Sequence, residues 1–205
     1  MARPVGSKGA ETQKLIRKAA IRRIYKYGFE GMNLRDLAAD VSLRVGSLYN
    51  YIPQKQEFLA ALLTDILQEL LHDWASRLPA TDDPVERLRH FVGFHIEWHT
   101  ARKEEVFIGN MELRSLSSAQ RRQVAALRRQ YEQILQDILT DGQKRGVWQL
   151  PDVRVTTFAL LSMLTGICNW YAPKGRLSQA ELVHIHEDLV LRMLNTEALS
   201  AAASR

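Results

Sequence analysis

The sequence predicts an all-α protein: a small three-helix head followed by a larger helical body, about nine helices in all. Three observations carry this reading. Apolar residues recur at intervals of three and four and almost never alternate, which is the period of a buried helix face. Capping residues punctuate the chain at helix-length intervals. Charge is uneven: residues 1–60 hold 11 lysines and arginines against 5 acids, a net of +6, while the rest of the chain carries −1. Such asymmetry points to a head that binds a polyanion on a near-neutral body.

The 205 residues suffice for a head of ~50 residues and a body of ~150, with the boundary expected at 54/55, giving 1–54 and 55–205. The hydrophobic share of 46% and charged share of 25% are those of a globular chain. Cys168 is the only cysteine, which excludes an intramolecular disulfide and a cysteine-rich zinc module and fits a reducing compartment. The opening MARPVGSKGAE has no apolar core, and no run of ~18 apolar residues occurs. A soluble, cytoplasmic protein is expected.

The first helix, about 11–28, turns Ile16, Ala19, Ala20, Ile24 and Tyr27 to one side and Lys14, Arg17, Lys18 and Arg22 to the other, and Gly28 stops it. A short second helix runs from Leu34 to about Val41, with Asn33 as N-cap and Asp36 as a capping-box variant. A turn at 42–44 leads to a third, about Val45–Tyr51, and Pro53 separates it from a long fourth, about 54–78. Asp83-Pro84-Val85-Glu86 starts a fifth, about 84–102. A sixth follows near 104–115, a seventh at about 118–145 closed by Gly146, an eighth at about 152–170 capped by Asp152, and a ninth at about 178–195 opened by the capping box Ser178-Gln179-Ala180-Glu181.

Residues 33–59, NLRDLAADVSLRVGSLYNYIPQKQEFL, carry the functional signal. Leu37, Ala38, Val41, Leu43 and Leu48 pack two short helices about a turn, leaving Arg44, Val45, Ser47, Tyr49 and Asn50 outward. A helix so presented fits the major groove of duplex DNA.

At these residues the chain resembles the tetracycline-repressor family. The matching positions are Ala19-Ala20, Gly28-Phe29, Leu37-Ala38, Gly46, Leu48-Tyr49, Tyr51-Ile52 and Lys55, spread over ~45 residues at the family's spacings. The resemblance implies a homodimeric, ligand-responsive transcriptional regulator, most simply a repressor released from operator DNA by its effector. It implies that Tyr49, Asn50 and Lys55 meet phosphates and that Arg44, Val45 and Ser47 lie nearest the bases. Gly46 then lets the backbone approach DNA, and Arg35 joins the DNA-facing set. Two departures stand out: Ser42 replaces the usual turn glycine, and Arg44 replaces the usual Ser or Thr at the start of the recognition helix.

In the body, Phe94, His95, Trp98, Phe107, Asn110, Met111, Arg114 and Tyr131 mix large apolar groups with a few polar ones, the composition of a ligand pocket. The same stripe suits plain core, and the family resemblance is what favours a pocket. His95 and His99 stand at i, i+4, but the order His-Ile-Glu-Trp-His is not the zinc-protease His-Glu-x-x-His, so neither a metal nor another cofactor is expected. Phe158, Leu161, Ile167, Trp170, Ile185 and Leu189 supply more apolar surface than one buried stripe needs, and a four-helix dimer interface would cover it. The segments Glu112-Leu113-Arg114-Ser115-Leu116, Gly146-Val147-Trp148 and Asn169-Trp170-Tyr171 resemble regulators that respond to acyl-CoA thioesters of fatty-acid or sterol breakdown. Arg102 and Arg114 are the basic candidates for the mouth of such a pocket. The competing readings are a metal-dependent or lipid-modifying helical enzyme and a helical protein-binding adaptor. Neither accounts for the basic helix-turn-helix, and no catalytic triad order, nucleophile elbow or phosphate-binding glycine loop is present.

Overall fold

The computed structural model describes residues 6–194, with side chains from residue 9. Arg3 of the basic head and position 195 of the last expected helix lie outside them. Among the described residues there are ten α-helices, one 3-10 turn and no strand. These are α1 (Gly6–Gly31), α2 (Leu34–Asp40), α3 (Val45–Leu48), α4 (Lys55–Ala75), α5 (Pro84–Ala101), α6 (Lys103–Met111), the 3-10 turn Glu112–Ser115, α7 (Ser118–Lys144), α8 (Val153–Thr165), α9 (Ile167–Trp170) and α10 (Gln179–Leu194). No described helix is long and apolar enough to cross a membrane.

The caps explain most boundaries. Asp83 accepts the Val85 amide at 2.9 Å ahead of Pro84, and Asp152 accepts the Val155 amide at 2.8 Å. Ser178 and Glu181 exchange bonds as a complete capping box, and those bonds hold the Glu181 carboxyl below its ordinary value. Gly146, at φ 73, closes α7. Behind it Trp148 folds back over the helix, donating its indole N–H to the Leu139 carbonyl at 2.8 Å, and only a residue without Cβ fits beneath that ring, which is Gly142. The eighth expected helix is divided at Gly166, where hydrogen bonding tightens to i→i+3 between Gly166 and Asn169.

The chain divides into two compact units, each assembled from separated stretches. The first takes the described residues up to Glu69 together with Glu104–Leu127, and the second takes Leu70–Lys103 together with the described residues from Arg128 on. The boundary expected at 54/55 coincides with the start of α4, inside the first unit. That unit is centred on Ile16, Ile24, Phe29, Leu37, Leu48, Ile52 and Leu59, all buried. In the second, α5 is the central element: α8, α9 and α10 all pack on it. Ten of its residues are buried, and Phe91, Val92 and Ile96 are fully enclosed.

Candidate nucleic-acid interface

The helix-turn-helix is held from behind. Arg23 of α1 bonds Asp40 at 2.9 Å and Asp36 at 3.2 Å, spanning both ends of α2. The bond to Arg23 holds the Asp40 carboxyl below its ordinary value and raises the guanidinium above its own. Asn33 caps α2 as expected, its side chain accepting the Arg35 amide at 2.8 Å. Asp36 goes to Arg23 rather than completing a capping box, because a charged partner binds a carboxylate more strongly than a backbone amide does. The turn that follows places Ser42 at φ 55, in the left-handed region that glycine occupies with least strain.

Exposure varies from residue to residue along α3 and its flanks. Leu48 is buried, while Arg44, Gly46, Tyr49 and Asn50 are exposed and Val45 and Ser47 half-buried. Arg44 is the N-cap of α3, yet its side chain makes no capping bond. A Cβ placed on Gly46 would meet nothing within 4 Å. The glycine therefore answers to no side chain among the described residues. Arg35 is exposed at the start of α2. The Lys55 ammonium donates to the Glu30 carbonyl at 3.1 Å and lies 4.6 Å from the Phe29 ring centre. It ties the start of α4 to the end of α1.

The eight residues expected to form an effector pocket fall into two sets. Phe94, His95, Trp98 and Tyr131 are buried in the second unit. Phe107, Asn110, Met111 and Arg114 belong to the first and are exposed, Phe107 standing edge-on to Tyr25 at 5.0 Å. Around His95 lies a buried polar cluster. Its Nδ1 is 3.2 Å from the Tyr131 hydroxyl, and its Nε2 is 3.2 Å from Thr165 Oγ1. The His99 ring stacks on the His95 ring at 3.6 Å, and His99 Nδ1 donates to the His95 carbonyl at 2.8 Å. Burial pushes both imidazoles down, His99 to about 4, and pushes the Tyr131 hydroxyl up. The cluster is uncharged at neutral pH. No group of three or more His, Cys, Asp or Glu among the described residues is placed to hold a metal. Arg102 is engaged by Asp73 at 3.7 Å and lies over the Trp98 ring at 4.8 Å, and Trp98 donates to the same Asp73 at 3.0 Å. A groove of about 250 Å³ runs between α1 and the first part of α4, walled by Ile16, Arg17, Tyr51, Phe58 and Asp65, and none of the eight lines it.

The residues expected at a dimer face differ in exposure. Phe158, Trp170, Ile185 and Leu189 are exposed and Leu161 is half-buried. Val155 and Met193 extend the same surfaces. Ile167 corrects the expectation: it is fully enclosed within its own chain, because α9 turns that side toward α5. It belongs to the core.

Sequence reasoning assigned no role to Glu112 or Arg23. Glu112 is a buried carboxylate that accepts the Phe29 amide at 3.0 Å, 83 residues away in sequence.

Three comparisons bear on identity. Residues 81–194 match a family model described as "Tetracyclin repressor-like, C-terminal domain". The HTH-type transcriptional repressor KstR2 of Mycobacterium tuberculosis is 24% identical over 202 residues, covering 97% of this chain and all of that protein. Among solved structures, the TetR family regulator PfmR of Thermus thermophilus is 29% identical with a TM-score of 0.77, covering 86% of this chain and 97% of that one. AibR, solved in complex with isovaleryl coenzyme A and operator DNA, is 27% identical with a TM-score of 0.78, covering 89% and 97%. With more than half its length matched by the family model and a helix-turn-helix presented outward, the chain belongs to the tetracycline-repressor family of DNA-binding transcriptional regulators.

Proposed function

We propose that the chain binds a near-palindromic operator as a homodimer, with α3 in the major groove, and that a mostly apolar effector, an acyl-CoA thioester in the first instance, releases it. The observation that carries the DNA half is Gly46: exposed, in a helix, and with open space where a side chain would stand. Open space on an exposed helix beside an arginine that makes no capping bond suits the close approach of a partner's backbone and bases. The dimer half rests on the exposed row Ile185, Leu189 and Met193 on α10, spaced by four, and on the exposed Val155 and Phe158 of α8. The effector half rests on the likeness to AibR, whose complex holds an acyl-CoA, and on the apolar content around Phe94, Trp98 and Tyr131.

The test is to select genomic fragments on the purified protein and measure affinity for the recovered site across salt. Affinity falls steeply with salt, each phosphate contact contributing about −0.9 to the log–log slope. Arg44→Ala weakens the preferred site by ~1–3 kcal/mol and relaxes preference at one base pair. Equal affinity for random and selected fragments refutes sequence-specific binding. An unchanged base preference in Arg44→Ala removes Arg44 from base reading.

A further inference from the structure

The turn Glu112–Ser115 binds both helices that flank the helix-turn-helix. The reason begins at Gly28. Its φ of 74 and ψ of 165 interrupt α1, so the amide of Phe29 loses the partner four residues back that a continuous helix would give it. Glu112 supplies the replacement, its Oε1 accepting that amide at 3.0 Å in a buried setting. The other carboxylate oxygen accepts the Ser115 hydroxyl at 3.1 Å. The same residue reaches α4: the Ser115 carbonyl accepts Gln56 Nε2 at 2.9 Å. Burying a carboxylate is costly unless hydrogen bonds compensate. An apolar residue at 112 would cover Phe29 equally well and leave its amide unpaired.

We propose that Glu112 is a positioning residue for DNA binding. It fixes the end of α1, and with Ser115 the start of α4, to the α6 segment, so that the head presents α3 in one orientation. Arg23, Leu37, Leu48 and Ile52 hold α1, α2 and α3 together through contacts of their own. What Glu112 adds is a fixed attachment. The inference rests on the dimeric operator reading above, because a fixed orientation matters only where two heads must meet successive major grooves together. A loosely attached head loses ordering entropy on binding two half-sites at once and loses nothing extra on one.

The experiment measures affinity for three DNAs: the selected operator, the same operator with about five base pairs inserted between its half-sites, which is half a helical turn, and an isolated half-site. Wild type, Glu112→Ala, Glu112→Gln and Gln56→Ala are compared, and amide exchange is followed in the peptide containing Phe29. Wild type loses affinity on insertion. Glu112→Ala binds the intact operator about tenfold more weakly, the factor expected for one lost buried hydrogen bond. It binds the half-site unchanged, loses less on insertion, and exchanges faster at Phe29. Glu112→Gln restores all of these, since its amide oxygen still accepts from Phe29. Gln56→Ala shifts the DNA readouts in the same direction by a smaller factor. Equal weakening on half-site and operator would mark a merely structural role and overturn the proposal, as would wild-type spacing dependence in Glu112→Ala. If Glu112→Ala fails to fold, Gln56→Ala decides, and unaltered spacing dependence there overturns it. A wild-type protein indifferent to the insertion overturns the dimeric reading and this proposal with it, whereas spacing dependence that persists in both variants overturns the positioning role alone.

Discussion

A glycine within a helix costs roughly 0.5–1 kcal/mol relative to alanine, because the unfolded chain has more freedom to lose there. At Gly46 nothing among the described residues offsets that cost, since a methyl group would stand in open space. Gly46→Ala should therefore raise the thermal midpoint slightly while lowering operator affinity. A variant weakened in both respects would show that the glycine serves the fold. Buried histidines give a second residue-scale prediction, with a definite sign. The folded value for His99, about 4, lies below the ordinary 6.5, and that of His95 lies well below it too. Above pH 6.5 neither state takes up a proton. Below it the unfolded chain does and the folded chain does not, so stability falls by up to about 1.36 kcal/mol per pH unit per histidine until the folded value is reached. His99 alone loses on the order of 3 kcal/mol between pH 6.5 and 4. Denaturant midpoints should be level from about pH 7.5 to about 6.5 and fall from there to about 5, and His99→Phe should flatten the fall. A midpoint independent of pH over that range would mean the imidazoles are protonated when folded.

Among the helices, local chemistry was readable and the choice between apolar faces was not. Caps at Asn33, Asp83, Asp152 and Ser178 stand where the text puts them, because each is satisfied within three residues of its own position. Asp36 shows the limit of such motifs: its partner Arg23 lies on another helix. Ile167 shows the same limit for periodicity. Apolar residues surround the second half of the expected eighth helix, and only the position of α5 decides that Ile167 faces inward and Trp170 outward. That distinction alters the dimer test. A charge at Ile167 would strike the core of its own chain, whereas Leu189, 44% exposed, stands on the surface. Leu189→Glu should give soluble monomers, seen by sedimentation, with the thermal transition broadened or lowered only by the lost association. An unaltered dimer in this variant would place the interface away from α10.

For the molecule as a whole, the least readable property was which distant segments share a unit. Nothing between 104 and 127 advertises that it returns to the head, since its links join residues far apart in sequence, such as the Glu112 carboxylate and the Phe29 amide 83 residues away. The consequence falls on the effector. Residues expected in one pocket are divided between the unit that carries α3 and the unit built on α5. A ligand that prefers one arrangement of the chain over another changes DNA affinity by the ratio of its affinities for the two, and by no more. Linkage then requires reciprocity: an effector that lowers operator affinity tenfold, ~1.4 kcal/mol, must itself bind the operator complex tenfold more weakly. Calorimetry with acyl-CoAs of graded chain length, with and without operator, measures both sides of that identity. Affinity should rise with chain length by up to ~0.8 kcal/mol per buried methylene and then stop once further methylenes remain in water. Trp98→Ala removes an indole held by Asp73, so a fall in ligand affinity larger than the fall in stability would assign the ring to the ligand. Absence of binding at every length removes the acyl-CoA assignment. Equal affinity with and without operator removes the allosteric mechanism while leaving the ligand in place, because a ligand blind to the DNA-bound state has no free energy with which to release it.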